Sequence, residues 1–323
     1  MPMKILNSVV CMFNRFKKKS SKKSAYPTKR EFKELQQMVD RQHDYLNNIF
    51  VYHELELTPY MDLMRTISYE LLKYFDNICT KYDVEYWLDF GTLLGAVRHE
   101  GFIPWDDDLD VGMLRDDYYR FLDVFPAELE KSGMKNVVAW FKEPSWDVGS
   151  IRWYQINCKY PEFNGKYVGI DVFPYDYITY FDDDYIPRFH KRRPEFFKAW
   201  DGEIDHLKDA IDSSCTHLNL SLSKTDHFIA GVDGGRFMTG SVFKILKTED
   251  LQPLKRIKFG KYDFLAPNNT DNYLSEIYGR NYMEIGRSSK DHGRLTRYKK
   301  YPNIMEKLTE AKDELITANE NFD

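Results

Sequence analysis

Carboxylate side chains crowd one short stretch of this 323-residue sequence, where Ile-Pro-Trp is followed by Asp106, Asp107, Asp108 and Asp110. Residues 108–113 alternate like a strand, so the side chains of Asp108 and Asp110 should share one face while their apolar neighbours face the core. Neighbouring carboxylates repel each other unless a cation lies between them. Oxygen ligands favour Mg²⁺ or Mn²⁺, and Mg²⁺ is commonly held by one or two carboxylates together with substrate phosphates. The spacing therefore predicts a metal site for a nucleotide phosphate.

A glycine turn just before these aspartates offers the second half of such a site. Val84–Phe90 is rich in β-branched and aromatic residues and is predicted to be a strand, and a short helix is predicted over Leu93–His99. Between them, Gly91 and Thr92 would point backbone N–H groups and the positive end of the helix at an anion. Gly95 would let the helix approach the sheet closely. Together with Asp-x-Asp on a strand, this turn indicates metal-assisted phosphoryl or nucleotidyl transfer.

Asp171 is the candidate for a third carboxylate, which would complete a two-metal clamp. It stands among apolar residues in a predicted strand over Val168–Phe173 that Pro174 should close. An unpaired charge there would be costly, so Asp171 needs a cation or hydrogen-bond donors. A role in capping a turn or pairing with an arginine stays open as an alternative.

The elements that must position these residues follow from periodicity and capping signals. Apolar residues recur at helical spacing between Asp62 and Lys81, and Asp116 is placed to cap a helix that runs through Phe125. Further helical segments are predicted at 31–50, Pro194–Leu218, Thr270–Tyr278 and Ile304–Asn319. Residues 221–248 stay unassigned.

The chain therefore divides into four parts on this interpretation. These are a basic, disordered tail (1–30), a helical lead-in (31–59), an α/β catalytic core (60–180) and a mixed C-terminal region (181–323) that completes the site. The apolar content of 42% excludes disorder for most of the chain. No run approaches the roughly 18 apolar residues of a membrane-spanning helix.

Charge and cysteine content narrow the partners and the compartment. Residues 1–30 carry nine of the 46 Lys and Arg and none of the 51 Asp and Glu, so the remainder is more acidic than the net charge of −5 indicates. Such a body is a poor surface for nucleic acid, whereas the tail could bind an anionic membrane surface. Four widely spaced cysteines favour a reducing compartment. We expect a cytoplasmic protein, peripheral at the inner face of the membrane if the tail binds lipid.

The stretch Tyr86–Phe121 closely resembles the LicD family of phosphocholine transferases, which is related to the fukutin-related phosphosugar transferases within the nucleotidyltransferase superfamily. It contains Trp-Leu-Asp-Phe-Gly-Thr-Leu-Leu-Gly-Ala-Val-Arg-His and Gly-Phe-Ile-Pro-Trp-Asp-Asp-Asp-Leu-Asp-Val-Gly-Met. Later matches begin at Ile170, Pro253 and Tyr273, so the resemblance covers roughly residues 60–295. This sequence departs from the family pattern after Tyr282, where the usual proline is absent.

The resemblance implies a nucleotidyltransferase-like core, with a small mixed sheet flanked by helices, that transfers a phospho-alcohol from a CDP-activated donor. The acceptor would be a cell-surface glycan or a lipid-linked glycan precursor, and CDP-choline is the favoured donor, with ribitol, glycerol or a sugar phosphate left open. It also implies Mg²⁺ or Mn²⁺ as cofactor, held at Asp108 and Asp110 and, as a third ligand, at Asp171.

Displacement at the donor's phosphorus, with CMP leaving, depends mostly on positioning and charge stabilisation. Asp106, Asp107 or Asp89 could accept the proton of the acceptor hydroxyl, and the sequence does not choose among them. Substrate and phosphate contacts are predicted at Gly91, Thr92, Leu93, Gly95, Arg98, Trp105, Arg152 and Lys159. Trp153 and Tyr154 could also stack on the substrate, and His292 could help to close the site, with core packing as the alternative.

Three other functions have some support in the sequence. An EF-hand starting at Asp106 fails because Val111 stands where glycine is required and Asp117 where glutamate is normal. A scaffold without activity does not explain the intact carboxylates. A nucleotide-sugar-dependent glycosyltransferase or sugar-phosphate transferase remains the alternative.

Overall fold

The computed structural model describes residues 28–49, 57–141, 153–159, 168–201, 203–234, 243–285, 299 and 301–322, with the backbone alone at 44–49, 198–199 and 214–216. The chain forms two compact units, Met1–Tyr52 and His53–Asp323. In the first, residues Lys29–Ile49 form helix α1, which agrees with the predicted polar helix. The predicted tail lies almost entirely outside the described residues.

The second unit opens with helix α2 (Pro59–Lys81), which is capped by the Thr58 side chain and buries the apolar face that the sequence predicts. The elements of its first part are β1 (Trp87–Leu88), α3 (Phe90–His99), β2 (Leu109–Leu114), α4 (Arg115–Ser132), β3 (Val137–Phe141), β4 (Tyr154–Cys158) and β5 (Val168–Ile178). The later ones are α5 (Tyr185–Ala199), α6 (Ile204–Leu218), β6 (Leu220–Ser221), β7 (His227–Ala230), β8 (Ile245–Lys247), α7 (Thr248–Leu251), β9 (Lys255–Phe259), β10 (Tyr262–Ala266), α8 (Thr270–Tyr278) and α9 (Ile304–Glu320).

One mixed sheet organises this unit. Its strands run in the order β1-β2-β5-β4-β3, with β2 parallel to β5 and the other pairs antiparallel. The second half of β5 pairs with β6 and β7, and β8 continues from β7. Strands β9 and β10 form a separate hairpin. The fold is a mixed α/β fold with helices flanking a mixed sheet, as predicted.

Alternation along the strands separates an apolar face from a polar one. In β4, Tyr154 and Ile156 face the core, and the Tyr154 ring lies 5.8 Å from that of Phe121 on α4. Burying each side chain of this size contributes about 1.5–3 kcal/mol. Gln155 and Asn157 point to the other face because strand residues alternate. Tyr154 is therefore a core residue and does not stack on a substrate.

Two predicted boundaries near the site are wrong. The first strand is only Trp87–Leu88, and α3 already begins at Phe90, so Gly91 and Thr92 lie in its first turn. The reason is Asp89, whose carboxylate accepts the Phe90 N–H and starts the helix at once.

Pro174 does not end the third strand, and β5 continues to Ile178. On one side of β5, the pairing with β4 stops at Val172 and that with β7 begins at Tyr175. Pro174 lies in this gap, where no ladder donor is missed on that side.

Asp116 is not the N-cap of α4. Leu114 has that position, and the helix runs to Ser132 instead of Phe125. It ends at Gly133, whose φ of 68° is left-handed, so a glycine is suited to this position.

The prediction of Thr270–Tyr278 is confirmed, and Ile304–Asn319 is one residue short of α9. Strands β3, β4 and β6–β10 were not predicted. The division at residue 180 stays a prediction, although β6–β8 from the later region extend the sheet of the earlier one. Within the described parts of the chain, none of the helices combines the length and apolarity that crossing a membrane requires.

Candidate active site

Two predicted metal ligands lie side by side on the polar face of the sheet. The parallel register of β2 and β5 pairs Asp110 with Asp171, and the antiparallel register of β5 and β4 pairs Asp171 with Gln155. The buried Gln155 side chain donates a hydrogen bond to the Asp171 carboxylate. The three side chains form one row across three neighbouring strands, so the sheet itself fixes their spacing.

A second group of carboxylates comes from the loop before β2. Among the described residues, Asp106, Asp107 and Asp108 form the one group of three possible metal ligands whose ligand atoms all lie within 4.8 Å of one another. Asp107 is buried and the other two are partly buried. The predicted ligand Asp108 thus lies between this loop group and Asp110, which begins the row on the sheet.

The charges of these acids raise one another's pKa, so the acids form one cluster. Burial raises the pKa of Asp110 well above its ordinary value, and the charges of Asp108, Asp171, Asp106 and Asp89 raise it further. Burial, followed by the charge of Asp108, raises the pKa of Asp106 to about 7. Such a cluster needs protons or a cation to offset its charge. Hard carboxylate oxygens fit Mg²⁺ or Mn²⁺.

The first turn of α3 lies against this cluster. A Cβ on Gly91 would be 2.7 Å from Asp106 Oδ2, so a larger residue there would displace that carboxylate. The Thr92 hydroxyl accepts the Asp110 N–H at 2.8 Å, which ties β2 to the helix. Phe90 has a φ of 38°, a left-handed conformation that strains a residue with a side chain. The sequence therefore places Gly91 and Thr92 correctly beside the acids, and their predicted binding of phosphate stays a prediction.

Asp89 has a different environment from the other acids. It is fully buried, and its carboxylate accepts hydrogen bonds from the Tyr175 hydroxyl at 2.6 Å and the Tyr273 hydroxyl at 3.0 Å, as well as from Phe90 N–H. Burial raises its pKa to about 6. Three donors occupy its oxygens, so Asp89 anchors the start of α3 and is a poor candidate for the base.

Arg98 joins α3 to the segment after α8. Its Nη1 donates to the carbonyl oxygens of Tyr282 and Glu284 at 3.3 and 3.2 Å, and its Nε donates to His99 Nε2 at 2.9 Å. These bonds use much of the guanidinium, which sequence reasoning assigned to phosphate. Tyr278, at the end of α8, was not predicted as a site residue. Burial of its hydroxyl, followed by the charges of Asp110, Asp89, Asp106 and Asp108, raises its pKa, while 40% of the residue is exposed.

Other predicted contact residues have neighbours outside the acidic cluster. A Cβ on Gly95 would be 2.5 Å from the Gly101 carbonyl oxygen, so Gly95 lets the following loop, and not the sheet, approach α3. Leu93 is fully buried, and the partly buried Trp105 packs against the core. The exposed Lys159 holds its Nζ 5.5 Å from the centre of the Trp140 ring. Arg152 and His292 lie outside the described residues.

Sequence reasoning missed Gln155 and Asn157 because β4 was not predicted. The signal was present in Tyr-Gln-Ile-Asn-Cys, where polar and apolar residues alternate over five positions. Polar residues on one face of a buried strand need partners or a ligand.

Comparison with known proteins finds a family match over the segment that contains this site. Residues 83–209 match the family model described as LicD/FKTN/FKRP, nucleotidyltransferase domain. This matched segment, less than half of the chain, is similar to the LicD/fukutin-related family. The match includes α3, β2 and β5, which carry the acidic cluster. The resemblance predicted from Tyr86–Phe121 is therefore confirmed.

Individual LicD-related proteins align with this chain either over a short stretch at higher identity or over a longer stretch at lower identity. The lipopolysaccharide cholinephosphotransferase LicD of Haemophilus influenzae is 54% identical over 62 residues, 19% of this chain and 23% of that protein. An uncharacterized protein of Rickettsia typhi is 48% identical over 58 residues, 18% of this chain and 19% of its own length. The human ribitol 5-phosphate transferase FKRP is 27% identical over 215 residues, 67% of this chain and 32% of that protein. The chain thus spans a fifth to a third of the length of these relatives.

Proposed function

We propose that this chain is a metal-dependent phosphotransferase that moves a phospho-alcohol group from a CDP-activated donor to a glycan. One observation carries the proposal: Asp110 and Asp171 are neighbours in the sheet register, beside Asp106–Asp108 and the first turn of α3. Buried acids next to a helix N-terminus suit a site that binds a cation together with a phosphate.

Asp108, Asp110 and Asp171 would hold the cation, and Asp106 and Asp107 offer further oxygen ligands. A bound Mg²⁺ or Mn²⁺ would offset the charge of the donor's diphosphate and of the displaced phosphate. The N–H groups of the first turn of α3 would bind phosphate oxygens, for which the positive helix end is suited.

Asp106 is the best-supported base of the three that sequence reasoning left open. A base must lie within hydrogen-bond reach of the attacking hydroxyl, and the Asp106 carboxylate lies against the first turn of α3, which would bind the donor's phosphates. Asp89 is occupied by three donors. Asp106 would take the proton of the acceptor hydroxyl as that oxygen attacks the donor's phosphorus and CMP leaves.

The names of the relatives guide the choice of substrate. One is a lipopolysaccharide cholinephosphotransferase and another a ribitol 5-phosphate transferase. We therefore propose CDP-choline as the first donor to test, CDP-ribitol as the second, and a cell-surface or lipid-linked glycan as acceptor.

Release of CMP from a panel of CDP-alcohols in Mg²⁺ or Mn²⁺ tests the proposal. We expect Asp110→Asn and Asp171→Asn to lower turnover about a thousandfold or more, since each removes charge at the reacting phosphates. Asp116→Asn is the matched control, because that carboxylate lies exposed on α4 and should not affect turnover. Wild-type turnover in both site variants would refute the site. Use of UDP-sugars with no use of CDP-alcohols would favour the glycosyltransferase alternative.

A lipid-linked acceptor would make membrane contact useful, so we extend the proposal to the basic residues 1–30 as an anionic-lipid-binding segment at the inner face of the membrane. Salt-sensitive binding to vesicles that contain an anionic lipid should be lost when residues 1–30 are deleted. Equal binding by both forms would rule this extension out.

A further inference from the structure

Asn157 on β4 carries a side-chain amide that the described structure leaves without a partner. The residue is fully buried, and neither its Oδ1 nor its Nδ2 has a hydrogen-bond partner in the part of the chain that the structure describes. Buried amides are almost always hydrogen-bonded, because removing one from water without a partner is costly. An exception on a face that carries a candidate active site points to a ligand.

The register places this amide on the face that carries the acids. Asn157 is two residues from Gln155, whose side chain binds Asp171, so both point the same way. Asn157 pairs across with Gly169 on β5, next to the pair of Gln155 and Asp171 on the same face. The β2–β5 register begins with Leu109 opposite Ile170, so Asp108 is the loop residue that directly precedes the paired part of β2 at this end of the sheet. Gly169 on β5, between β2 and β4, has no side chain.

The chemistry of the amide limits what it can bind. An amide presents one acceptor next to one donor, so its complement must present a donor next to an acceptor. Phosphate oxygens only accept at neutral pH, and a quaternary ammonium neither donates nor accepts. The edge of a nucleobase has this pair, and asparagine binds such edges through two hydrogen bonds at once.

The distance across the sheet fits the two ends of a nucleotide. Two strand spacings separate β2, which Asp108 precedes, from β4, which carries Asn157, and this amounts to about 10 Å. The sugar of a nucleotide holds its base at a comparable distance from its phosphates. Phosphates bound at the acids would therefore bring the base to Asn157.

We propose that Asn157 binds the base of the nucleotide donor, with Nδ2 donating to N3 of cytosine and Oδ1 accepting from its amino group. This inference rests on the proposed function, which supplies the cytidine nucleotide. It assigns base recognition to β4 and phosphate binding to β2, β5 and α3.

Calorimetric titration of the full chain with CMP, in the presence of Mn²⁺, tests the assignment. We expect Asn157→Leu to bind CMP at least about tenfold more weakly than wild type, because both hydrogen bonds are lost. Ribose 5-phosphate, which has no base, should bind wild type and Asn157→Leu equally. Cys158→Ala is the matched control, since it alters the neighbouring buried residue on the other face of β4 and should leave CMP binding unchanged.

Equal CMP affinity of wild type and Asn157→Leu would overturn the proposal, and so would wild-type binding of ribose 5-phosphate as tight as that of CMP. If thermal unfolding shows that Asn157→Leu does not fold, Asn157→Ser replaces it with the same expected loss. A wild-type chain that neither binds CMP nor releases it from CDP-alcohols would refute the proposed function itself. That result differs from equal binding of CMP by wild type and Asn157→Leu, which would overturn only the role of Asn157.

Discussion

His99 makes a contact of helix α3 depend on pH. Its Nε2 accepts the Arg98 Nε–H at 2.9 Å, and that bond requires the ring to be neutral at Nε2. Burial, together with the charges of Arg98 and Arg65, lowers the pKa of His99 to about 4. The same Arg98 binds the backbone at Tyr282 and Glu284, so the protonation of one imidazole affects the contact between α3 and the segment after α8.

We expect His99 to reduce stability in acid. The unfolded state, with an ordinary histidine pKa near 6.5, binds more protons than the folded state between pH 6.5 and 4, so the free energy of unfolding falls as the pH falls through that range. The free energy of unfolding of His99→Gln, relative to that of wild type, should be about 1 kcal/mol higher at pH 5 than at pH 7.5, after allowance for the partial exposure of His99. Urea unfolding of both proteins at the two pH values measures this difference.

The control is His206→Gln. Its exposed ring pairs with Asp201, which raises the pKa of His206, so that pair stabilises the fold at low pH and its removal has the opposite sign. An identical pH dependence in wild type and His99→Gln would contradict the assignment.

At the scale of elements, the start of α3 and the end of α4 both depend on glycine, for different reasons. Gly91 is needed because Asp106 occupies the space of a side chain, whereas Gly133 has a φ of 68° and nothing within 4 Å of a Cβ. The first requirement concerns the site, and the second concerns only the backbone.

Alanine at the two positions should therefore have opposite consequences. Gly91→Ala should displace the Asp106 carboxylate and lower turnover about tenfold to a hundredfold, since small errors in placing a reacting group are expensive. Its stability should change by less than about 1 kcal/mol, because the carboxylate can move and alanine favours the helix. Gly133→Ala should cost about 1 kcal/mol of stability through the left-handed φ and leave turnover unchanged. Urea unfolding and CMP release measure the two effects, and the reverse pattern would contradict this account.

The sequence was informative where chemistry and periodicity coincide. The position of Asp110 next to Asp171 follows from two short predicted strands that turn out to be parallel neighbours, although only the structure supplies their register. The long amphipathic helix α2 was predicted from its apolar spacing. Boundaries failed where a long-range partner decides them, as with Pro174, which β5 tolerates because its neighbours change there. Strand β4 has the alternation of a strand, but it is only five residues long, so the pattern is short.

At the scale of the whole molecule, a buried network of ion pairs joins the earlier and later parts of the second unit. Arg115, at the start of α4, donates to both oxygens of Asp176 on β5 at 2.7 and 2.8 Å and to both oxygens of Asp233 at 2.8 and 2.6 Å. All three side chains are almost fully buried. Two acids and one base without access to water depend on one another's charge.

Arg115→Met should lower the free energy of unfolding by about 3–5 kcal/mol, because it leaves two buried carboxylates without their cation. Arg188→Met, on α5, should cost less than about 1 kcal/mol, since that arginine and its partner Asp182 are both exposed. Urea titration of both variants measures the difference. Equal losses would show that the network does not have the importance assigned to it.

Strand β5 takes part in both the candidate site and the buried ion network. Its first half aligns Asp171 with Asp110, and its second half, with Asp176 in the ion network, pairs with β6 and β7 on opposite sides. Tyr273 of α8 also helps to hold Asp89, at the start of the site helix. A fragment cut near residue 180 would therefore bare main-chain groups along both margins of β5 and release one of the anchors of α3, inviting the fragment to self-associate. A fragment that keeps these contacts extends at least through α8.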